Sequence, residues 1–273
     1  MVFYGIFLGA LSNDLRGMIS YSIINQVGFM VAGVGIGSQM ALLGAAAHAF
    51  CHILYKSLLF MSAGSVVYMT GIRKTTELGG IFRSMKLTTI CAIIGAVSIS
   101  AFPLTSGFIS KSLYMEGAID AGMAGVWYLI AAGSIGVVAL TGCKYTWFVF
   151  FGKDSGRRPL DPPFSMKIGM LIVAFLCILP GFVPQSVYMM LPEQIDYNPN
   201  TASHIITQLQ LLLFGCLAFF MFLGMMKRSN TIALDFDWLW RKLGLGFLIL
   251  MEGMIATISK FFVDKSLKIF DRL

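Results

Sequence analysis

The chain has 273 residues, of which 57% are hydrophobic and only 12% are charged, and its mean hydropathy is +0.80. Soluble domains are about one quarter charged, so this composition excludes an ordinary soluble domain and predicts a polytopic membrane protein. The net charge of +7 does not indicate nucleic-acid binding, because the basic residues lie between apolar runs and form no single block.

The N-terminal segment "MVFYGIFLGALSNDLRG" lacks the basic region and the small-residue cleavage site of a secretory signal. Its apolar stretch of about ten residues is too short to cross a bilayer, so we expect it to be the end of a longer helix. The five cysteines are scattered and lie mostly within apolar runs. This placement favours packing roles over disulfides or a metal site.

Transmembrane helices need about 20 mostly apolar residues, and the hydropathy pattern predicts six of them. The predicted spans are 17–37, 41–69, 87–118, 124–151, 166–190 and 206–226, followed by a more amphipathic stretch at 238–270. The expected fold is an all-α, polytopic transmembrane bundle at 1–228 with an interfacial tail at 229–273. The sequence contains no nucleotide-binding fingerprint and no cysteine cluster that would indicate a cofactor.

Lysine and arginine occur in every second loop of this layout. The basic loops contain Arg16, Arg73, Lys74, Arg83, Lys86, Lys153, Arg157, Arg158, Lys167, Lys227, Arg228, Arg241 and Lys242. By the positive-inside rule, these loops and the C-terminus are expected in the cytoplasm, with the chain in the inner membrane. An accidental charge bias is the alternative.

The third predicted span is interrupted by Pro103 and Gly107 in "SISAFPLTSGFISKSLY". Proline removes a helical hydrogen bond and clashes with the preceding turn. Non-helical backbone at membrane depth is tolerated only where it is buried in protein or lines a wet cavity. Broken helices of this kind occur in transporters, and we predict one here, with a simple proline kink as the alternative.

Three titratable residues, His48, His52 and Lys56, lie four residues apart in the apolar segment "GAAAHAFCHILYKSLLFMSAGS". This spacing puts them on nearly one helix face, over about 12 Å. A charge at bilayer depth costs several kcal/mol, so such residues normally face protein or water. Because histidine exchanges protons near neutral pH, the pattern predicts a proton relay.

Three other interpretations of these residues stay open. Lys56 could extend to the headgroups, although it lies deep in its span. Either histidine could be a structural residue that donates a hydrogen bond to a neighbouring helix. His48, Cys51 and His52 could bind zinc, but no carboxylate follows on that face.

Lys111 follows the break and is too deep for easy contact with headgroups, so it joins the predicted relay. Glu116 could pair with Lys111 or mark the interfacial end of its helix. For Lys144, close to the next basic loop, extension to the headgroups is the favoured interpretation. Glu116 and Lys144 are therefore possible auxiliary residues, and Glu252 is expected on the polar face of the tail.

Three segments in order resemble one family of membrane proteins. They are "NDLRGMISYSIINQVGFMVAGVG", "HAFCHILYKSLLFMSAGS" and "AFPLTSGFISKSLYMEGA", which together cover much of 13–118. They are similar to motifs of the antiporter-like subunits, which comprise the large Mrp-type monovalent cation/proton antiporter subunits and the pump subunits of respiratory complex I. The resemblance implies that His48, His52 and Lys56 belong to the family's central relay and that Lys111 is its broken-helix lysine.

The later segments "YNPNTASHIITQLQLLLFGCLAFFMF" and "IALDFDWLWRKLG" resemble the D-type subunit of Mrp antiporters. Family members are roughly twice as long, and nothing here matches the membrane glutamate and lysine of their first half. The resemblance therefore implies that this chain is the second half of such a subunit. It could be a split gene product, a truncated gene or a decaying one.

The expected function is proton translocation within a multisubunit antiporter, with other subunits and a separately encoded first half as partners. No covalent chemistry, metal or cofactor is expected. A complex I-type pump subunit, which would belong to an oxidoreductase only through its assembly, is one alternative, and a non-transporting remnant is another. A solitary channel is a remote fourth possibility.

Overall fold

The structure, a computed structural model, describes residues 1–193, 195–224, 242–256 and 259–260. The chain forms two compact units, Met1–Thr231 and Ile232–Leu273. The helices of the first unit are α1 (Val2–Leu11), α2 (Leu15–Ile36), α3 (Gln39–Thr70), α4 (Lys86–Ile99), α5 (Ser106–Asp120), α6 (Ala124–Phe151), α7 (Phe164–Phe182), α8 (Gln185–Tyr188) and α9 (Ala202–Met221). The described residues contain no strand, only an isolated antiparallel bridge between Asp14 and Lys74.

The predicted helical membrane bundle is confirmed. Within the described residues, α2, α3, α6, α7 and α9 are long and apolar enough to cross a membrane. The remaining predicted span consists of the two shorter helices α4 and α5. Helix α7 ends at Phe182, earlier than expected, because Val183 precedes Pro184 and proline disfavours helical backbone in the residue before it.

The second unit contains a helix, α10, at 242–256. Glu252 is exposed on this helix, as are large apolar side chains such as Phe247 and Leu248. Much of the predicted tail, at 229–241, 257–258 and 261–273, lies outside the described residues. The division of the chain at residue 228 and the interfacial position of the tail stay predictions.

The predicted break in the third span is present between α4 and α5. Ala101 and Leu104 both have positive φ, at 59° and 63°, a conformation that is uncommon for residues other than glycine. A Cβ atom on Gly107 would collide with the Ser98 carbonyl oxygen, and one on Gly181 of α7 would collide with the Leu104 backbone. The break is therefore a strained turn, closely packed by two glycines, and more than a simple kink.

Within the described residues, two of the basic loops contact each other at one end of the bundle, and the α2–α3 loop contacts α5 at the other. At the basic end, Ser155 donates to the Gly79 carbonyl from its backbone N–H at 3.1 Å and its hydroxyl at 2.9 Å. At the opposite end, the Ser38 hydroxyl on the α2–α3 loop donates to the Gly117 carbonyl of α5 at 2.9 Å. Near the first contact, the Arg158 guanidinium holds the pKa of Asp154 well below its usual range, so this carboxylate is ionised at neutral pH.

Helix α4 is capped by a residue from a distant loop. The Asp161 carboxylate accepts from the Leu87 and Thr88 backbone N–H groups, each at 3.2 Å, and from the Thr88 hydroxyl at 2.9 Å. Met85, the residue at the N-cap position, makes no side-chain cap bond. Asp161 therefore supplies the acceptor that a helix N-terminus requires.

We expect Asp161→Ala to lower stability by about 1–2 kcal/mol, because it leaves those first-turn N–H groups without their acceptor. The measurement is thermal unfolding in detergent, with Glu77→Ala, an exposed acidic residue at the same end, as the matched control. Equal unfolding of the two variants would contradict the capping role.

Candidate functional site

Lys56 is buried between α3 and α2, with 4% of its surface exposed. Its Nζ donates to the Ile19 carbonyl at 3.2 Å and to the Ser22 hydroxyl, both on α2. Among the described residues, no carboxylate forms an ion pair with it. The amine is therefore held by neutral oxygens inside the bundle and does not extend to the headgroups.

His48 is fully buried and joins α3 to both α2 and α5. Its Nδ1 lies 2.9 Å from the Ser110 hydroxyl of α5, and its Nε2 lies 3.0 Å from Gln26 Oε1 of α2. The Tyr55 hydroxyl lies 3.2 Å from the same Nε2 and 3.0 Å from the same Gln26 oxygen. Hydroxyl groups both donate and accept, so either neutral tautomer of His48 finds partners without movement of the ring.

Lys111 is buried on α5, just after the break, with 2% of its surface exposed. Its Nζ donates to the Ile99 carbonyl at the end of α4, at 3.0 Å, and lies 3.3 Å from the Ser134 hydroxyl of α6. It also lies 5.1 Å from the centre of the Phe29 ring. Because the break ends α4 here, Lys111 contacts the C-terminus of that helix, where the helix dipole favours a cation.

His52 is half-buried, and its Nε2 is a buried atom without a hydrogen-bond partner in the described structure. Its ring centre lies 6.5 Å from that of His48 and 5.6 Å from that of Tyr55. Buried polar atoms are usually bonded to protein or to ordered water. His52 therefore lies beside the His48 network without a direct bond to it.

The contacts of these groups follow one another along α2 and α5. On α2, Ser22, which contacts Lys56, lies four residues before Gln26, which contacts His48. On α5, Ser110, which contacts His48, is the residue immediately before Lys111. The structure thus brings Lys56, His48 and Lys111 to one polar axis across α2, α3 and α5, although no direct hydrogen bond connects the lysines to His48.

The two auxiliary candidates lie away from this axis. The expectation that Lys144 reaches the headgroups is wrong, because its Nζ is buried against the carbonyls of Gly9 and Ser12, at 3.1 and 2.9 Å, at the end of α1. A cation is favoured at a helix C-terminus. Glu116 is half-buried, and no ion pair joins it to Lys111 within the described chain.

The sequence patterns did not identify Gln26, Tyr55 and Ser110 as site residues. Tyr55 lies seven residues after His48, which puts the two on the same helix face, so this spacing could have identified it. Gln26 and Ser110 are on other helices, and only the packing shows that they contact His48. In the part of the chain that the structure describes, no group of three or more His, Cys, Asp or Glu side chains could hold a metal ion.

Known proteins resemble this chain over most of the bundle. The D-type subunit of the Na(+)/H(+) antiporter of Alkalihalophilus pseudofirmus is 32% identical over 197 residues, which are 68% of this chain and 38% of that protein. The "NADH-ubiquinone oxidoreductase chain 5" of Schizophyllum commune is 27% identical over 207 residues, which are 73% of this chain and 29% of that protein. The chain thus spans well under half the length of these relatives.

The fold is also found in a solved structure, that of the Mrp complex from a Dietzia species. The TM-score is 0.68 at 24% identity, over 92% of this chain and 30% of that one. The family model described as "NADH:quinone oxidoreductase/Mrp antiporter, TM" matches residues 1–139, just over half of the sequence and all three motifs identified above. The chain is therefore a member of the NADH:quinone oxidoreductase/Mrp antiporter transmembrane family.

Proposed function

We propose that this chain is a proton-translocating membrane subunit of a multisubunit monovalent cation/proton antiporter, equivalent to the D-type subunit of Mrp complexes. The observation that carries the proposal is the burial of Lys56, His48 and Lys111 on one polar axis inside an apolar bundle. Groups of this kind are expensive at membrane depth and mark ion or proton pathways. The similarity to a D-type antiporter subunit supports the assignment.

The proposed route runs from Lys56 through the Ser22–Gln26 face of α2 to His48, and on through Ser110 to Lys111. His48 can accept a proton on one ring nitrogen and release one from the other, because both face hydroxyl or amide groups. Charge on one group changes the proton affinity of the next, which couples the steps. His52, beside this route, is proposed as an additional proton acceptor.

A complex I-type role is the second candidate, since NADH-ubiquinone oxidoreductase chain 5 is also a relative. In that case an oxidoreductase activity would come only from the assembly, and this chain would bind neither electron donor nor acceptor. Neighbouring genes separate the two cases. Genes for small Mrp-type subunits favour the antiporter, whereas genes for flavin and iron–sulfur subunits favour the redox enzyme. A non-transporting remnant is the third case, and it predicts no upstream reading frame that restores a first half.

The proposal includes a location and partners. The chain is a multi-pass membrane protein, and we place it in the inner membrane with the basic end and the C-terminus in the cytoplasm. Its partners would be the other subunits of an antiporter complex and a first half of the family unit, where a separate gene encodes one. The solved Mrp complex with the same fold supports assembly with other subunits.

The test is cation-dependent dissipation of a proton gradient in inverted vesicles from an antiporter-deficient bacterium. The vesicles would contain the neighbouring subunits with this chain, without it, or with Lys56→Ala. We expect exchange only with the unaltered chain, since Lys56 is a buried amine of the proposed path. Equal exchange in all three preparations would contradict the proposed role of the chain.

A further inference from the structure

Two cysteines, Cys143 of α6 and Cys216 of α9, have their sulfur atoms in contact, with one Sγ 3.4 Å from the other. Both are free thiols and both are half-buried. The other three cysteines, Cys51, Cys91 and Cys177, are buried, and within the described residues none of them has a sulfur contact of this kind. The two members of the pair are 73 residues apart in sequence, so only the folded chain brings them together.

The contact lies within a continuous seam between α6 and α9. On one side of the pair, an added Cβ on Gly215 would lie 3.1 Å from the Val138 side chain, so the two helices approach closely there. On the other side, the rings of Trp147 and Phe220 pack edge to face, with centres 5.2 Å apart. Because contacts on both sides hold the two helices against each other, the two thiols are kept face to face.

The separation of the two sulfur atoms is close to what a disulfide requires. An S–S bond is about 2.05 Å long, so the atoms must approach each other by about 1.4 Å. A cavity of about 320 Å³ adjoins both cysteines and leaves space for their side chains to move. We therefore expect the bond to form by rotation of the two side chains, with little movement of the helices.

The same cavity determines which oxidants can reach the pair. It lies between α4, α6 and α9, and almost all of its lining is apolar, including Ile93, Val97 and Leu213. Leu213 is 70% exposed on the outer face of α9, where we expect lipid. Such a place excludes ions because their desolvation is costly, whereas a small neutral molecule such as hydrogen peroxide can enter it.

We propose that Cys143 and Cys216 are a redox-active dithiol, which a neutral hydroperoxide converts into a disulfide that fastens α9 to α6. One thiol attacks hydrogen peroxide, the O–O bond breaks, and the sulfur becomes a sulfenic acid while the thiol proton leaves in water. The second sulfur then attacks the first, the S–O bond breaks, and the hydroxyl group leaves as water with the second thiol proton. The two thiols lose two electrons, which reduce the peroxide.

The depth of the pair in the membrane indicates that this change is reversible. Cys143 lies eight residues before Phe151, and Cys216 lies five residues before Met221, so both are in the half of the bundle nearer the basic end. We place that end in the cytoplasm, where thiol systems keep cysteines reduced and disulfides are usually transient. The dithiol is then the resting state, and the disulfide forms under oxidative conditions.

The bond would act on the span that the bundle holds most weakly. Among the five long helices in the described part of the chain, α9 is the least buried. It packs mainly against α6, so a covalent bond between these two helices fastens α9 at its principal contact. This inference does not depend on the proposed function, because the cross-link requires only the fold.

The first experiment treats native membrane vesicles that contain the full chain with hydrogen peroxide, blocks the remaining thiols with N-ethylmaleimide, and analyses peptides by mass spectrometry. We expect a peptide pair that joins Cys143 to Cys216, lighter by two hydrogen atoms than the separate peptides and split by dithiothreitol. Cys177→Ser, which removes a buried thiol without a sulfur contact, is the matched control and should leave the cross-link unchanged. Absence of the cross-link, or equal cross-linking of Cys51 to Cys177, would overturn the proposal.

Single variants test the order of the reaction. In Cys143→Ser or Cys216→Ser the sulfenic acid has no second thiol to attack it, so dimedone should label the remaining cysteine about tenfold more than in the unaltered chain. Equal dimedone labelling of the single variants and the unaltered chain would contradict the reaction between the two thiols.

The second experiment compares the thermal unfolding of the oxidised and the reduced complex in detergent. A disulfide that closes a long loop restricts the unfolded chain, so the oxidised form should unfold at a temperature several degrees higher. Cys143→Ser treated in the same way should show no rise, which separates the cross-link from oxidation elsewhere. Equal unfolding temperatures of the oxidised and reduced unaltered protein, or an equal rise in Cys143→Ser, would overturn the fastening of α9.

Discussion

Complexes that carry Lys111→Met should lose cation/proton exchange by about hundredfold or more, the usual scale for removal of a proton-transfer group. Methionine has a similar length and can occupy the same buried space, but it cannot bind a proton. At the break, Lys111 lies within hydrogen-bonding distance of the Ile99 carbonyl and the Ser134 hydroxyl. Among the described groups at that distance from both, it is the only one that can carry a proton. The measurement is the vesicle exchange assay.

The same substitution should leave stability nearly unchanged, which distinguishes it from a folding defect. It removes two hydrogen bonds, each worth about 1 kcal/mol, and it leaves the Ile99 carbonyl without that partner. It also removes a polar amine from an interior in which no described carboxylate pairs with it, and burial of such a group costs free energy of similar size. These contributions oppose one another.

The matched control is Lys86→Met, at the exposed first position of α4, where the same chemical change removes no buried group. It should keep full exchange and full stability. Normal exchange by Lys111→Met would contradict a proton-carrying role for this lysine. A complex that no longer assembles would contradict the expectation of unchanged stability.

The sequence was sufficient to predict the bundle and the position of its break. Apolar runs long enough to span, with Lys and Arg restricted to alternate loops, identify the helices because lipid permits few other structures. Pro103 and Gly107 identified the interruption. The positive φ values of Ala101 and Leu104 could not be predicted, because nothing in the sequence marks these non-glycine residues, and the close approach of Leu104 to Gly181 of α7 is visible only in the packing.

The candidate site was predictable where its residues show a helical spacing or follow the break, as Lys111 does. His48 and Lys56 were predicted from a four-residue spacing on α3, and both are buried. Gln26 and Ser110 contact His48 from other helices, 22 and 62 residues away in sequence, so spacing could not identify them. For Lys144, the wrong expectation arose because sequence position alone does not show that the end of α1 lies within its reach.

A second large effect is expected at Gly107, where the start of α5 lies directly against the backbone of α4. An added Cβ would overlap the Ser98 carbonyl oxygen, which also accepts the Ala101 backbone N–H at 3.1 Å within the turn. We expect Gly107→Ala to destabilise the protein by about 1–3 kcal/mol, the usual cost of overpacking a closely packed interior. Thermal unfolding in detergent measures this change.

The control for Gly107→Ala is Gly64→Ala on α3, where an added Cβ meets nothing within 4 Å. There the helix preference for alanine over glycine should stabilise the protein by up to about 1 kcal/mol. The same chemical change is therefore expected to have opposite signs at the two positions. Equal stability of the two variants would contradict the close approach of α4 and α5.

Gly107→Ala should also lose exchange, but for a different reason from Lys111→Met. Moving Ser98 displaces the next residue, Ile99, whose carbonyl accepts from Lys111, so the lysine would lose the helix end that orients it. We expect Gly107→Ala to lose both stability and exchange, and Lys111→Met to lose exchange alone. This difference would distinguish an effect of the geometry of the break from the loss of the proton-binding group. Full exchange in Gly107→Ala would mean that the break does not position Lys111.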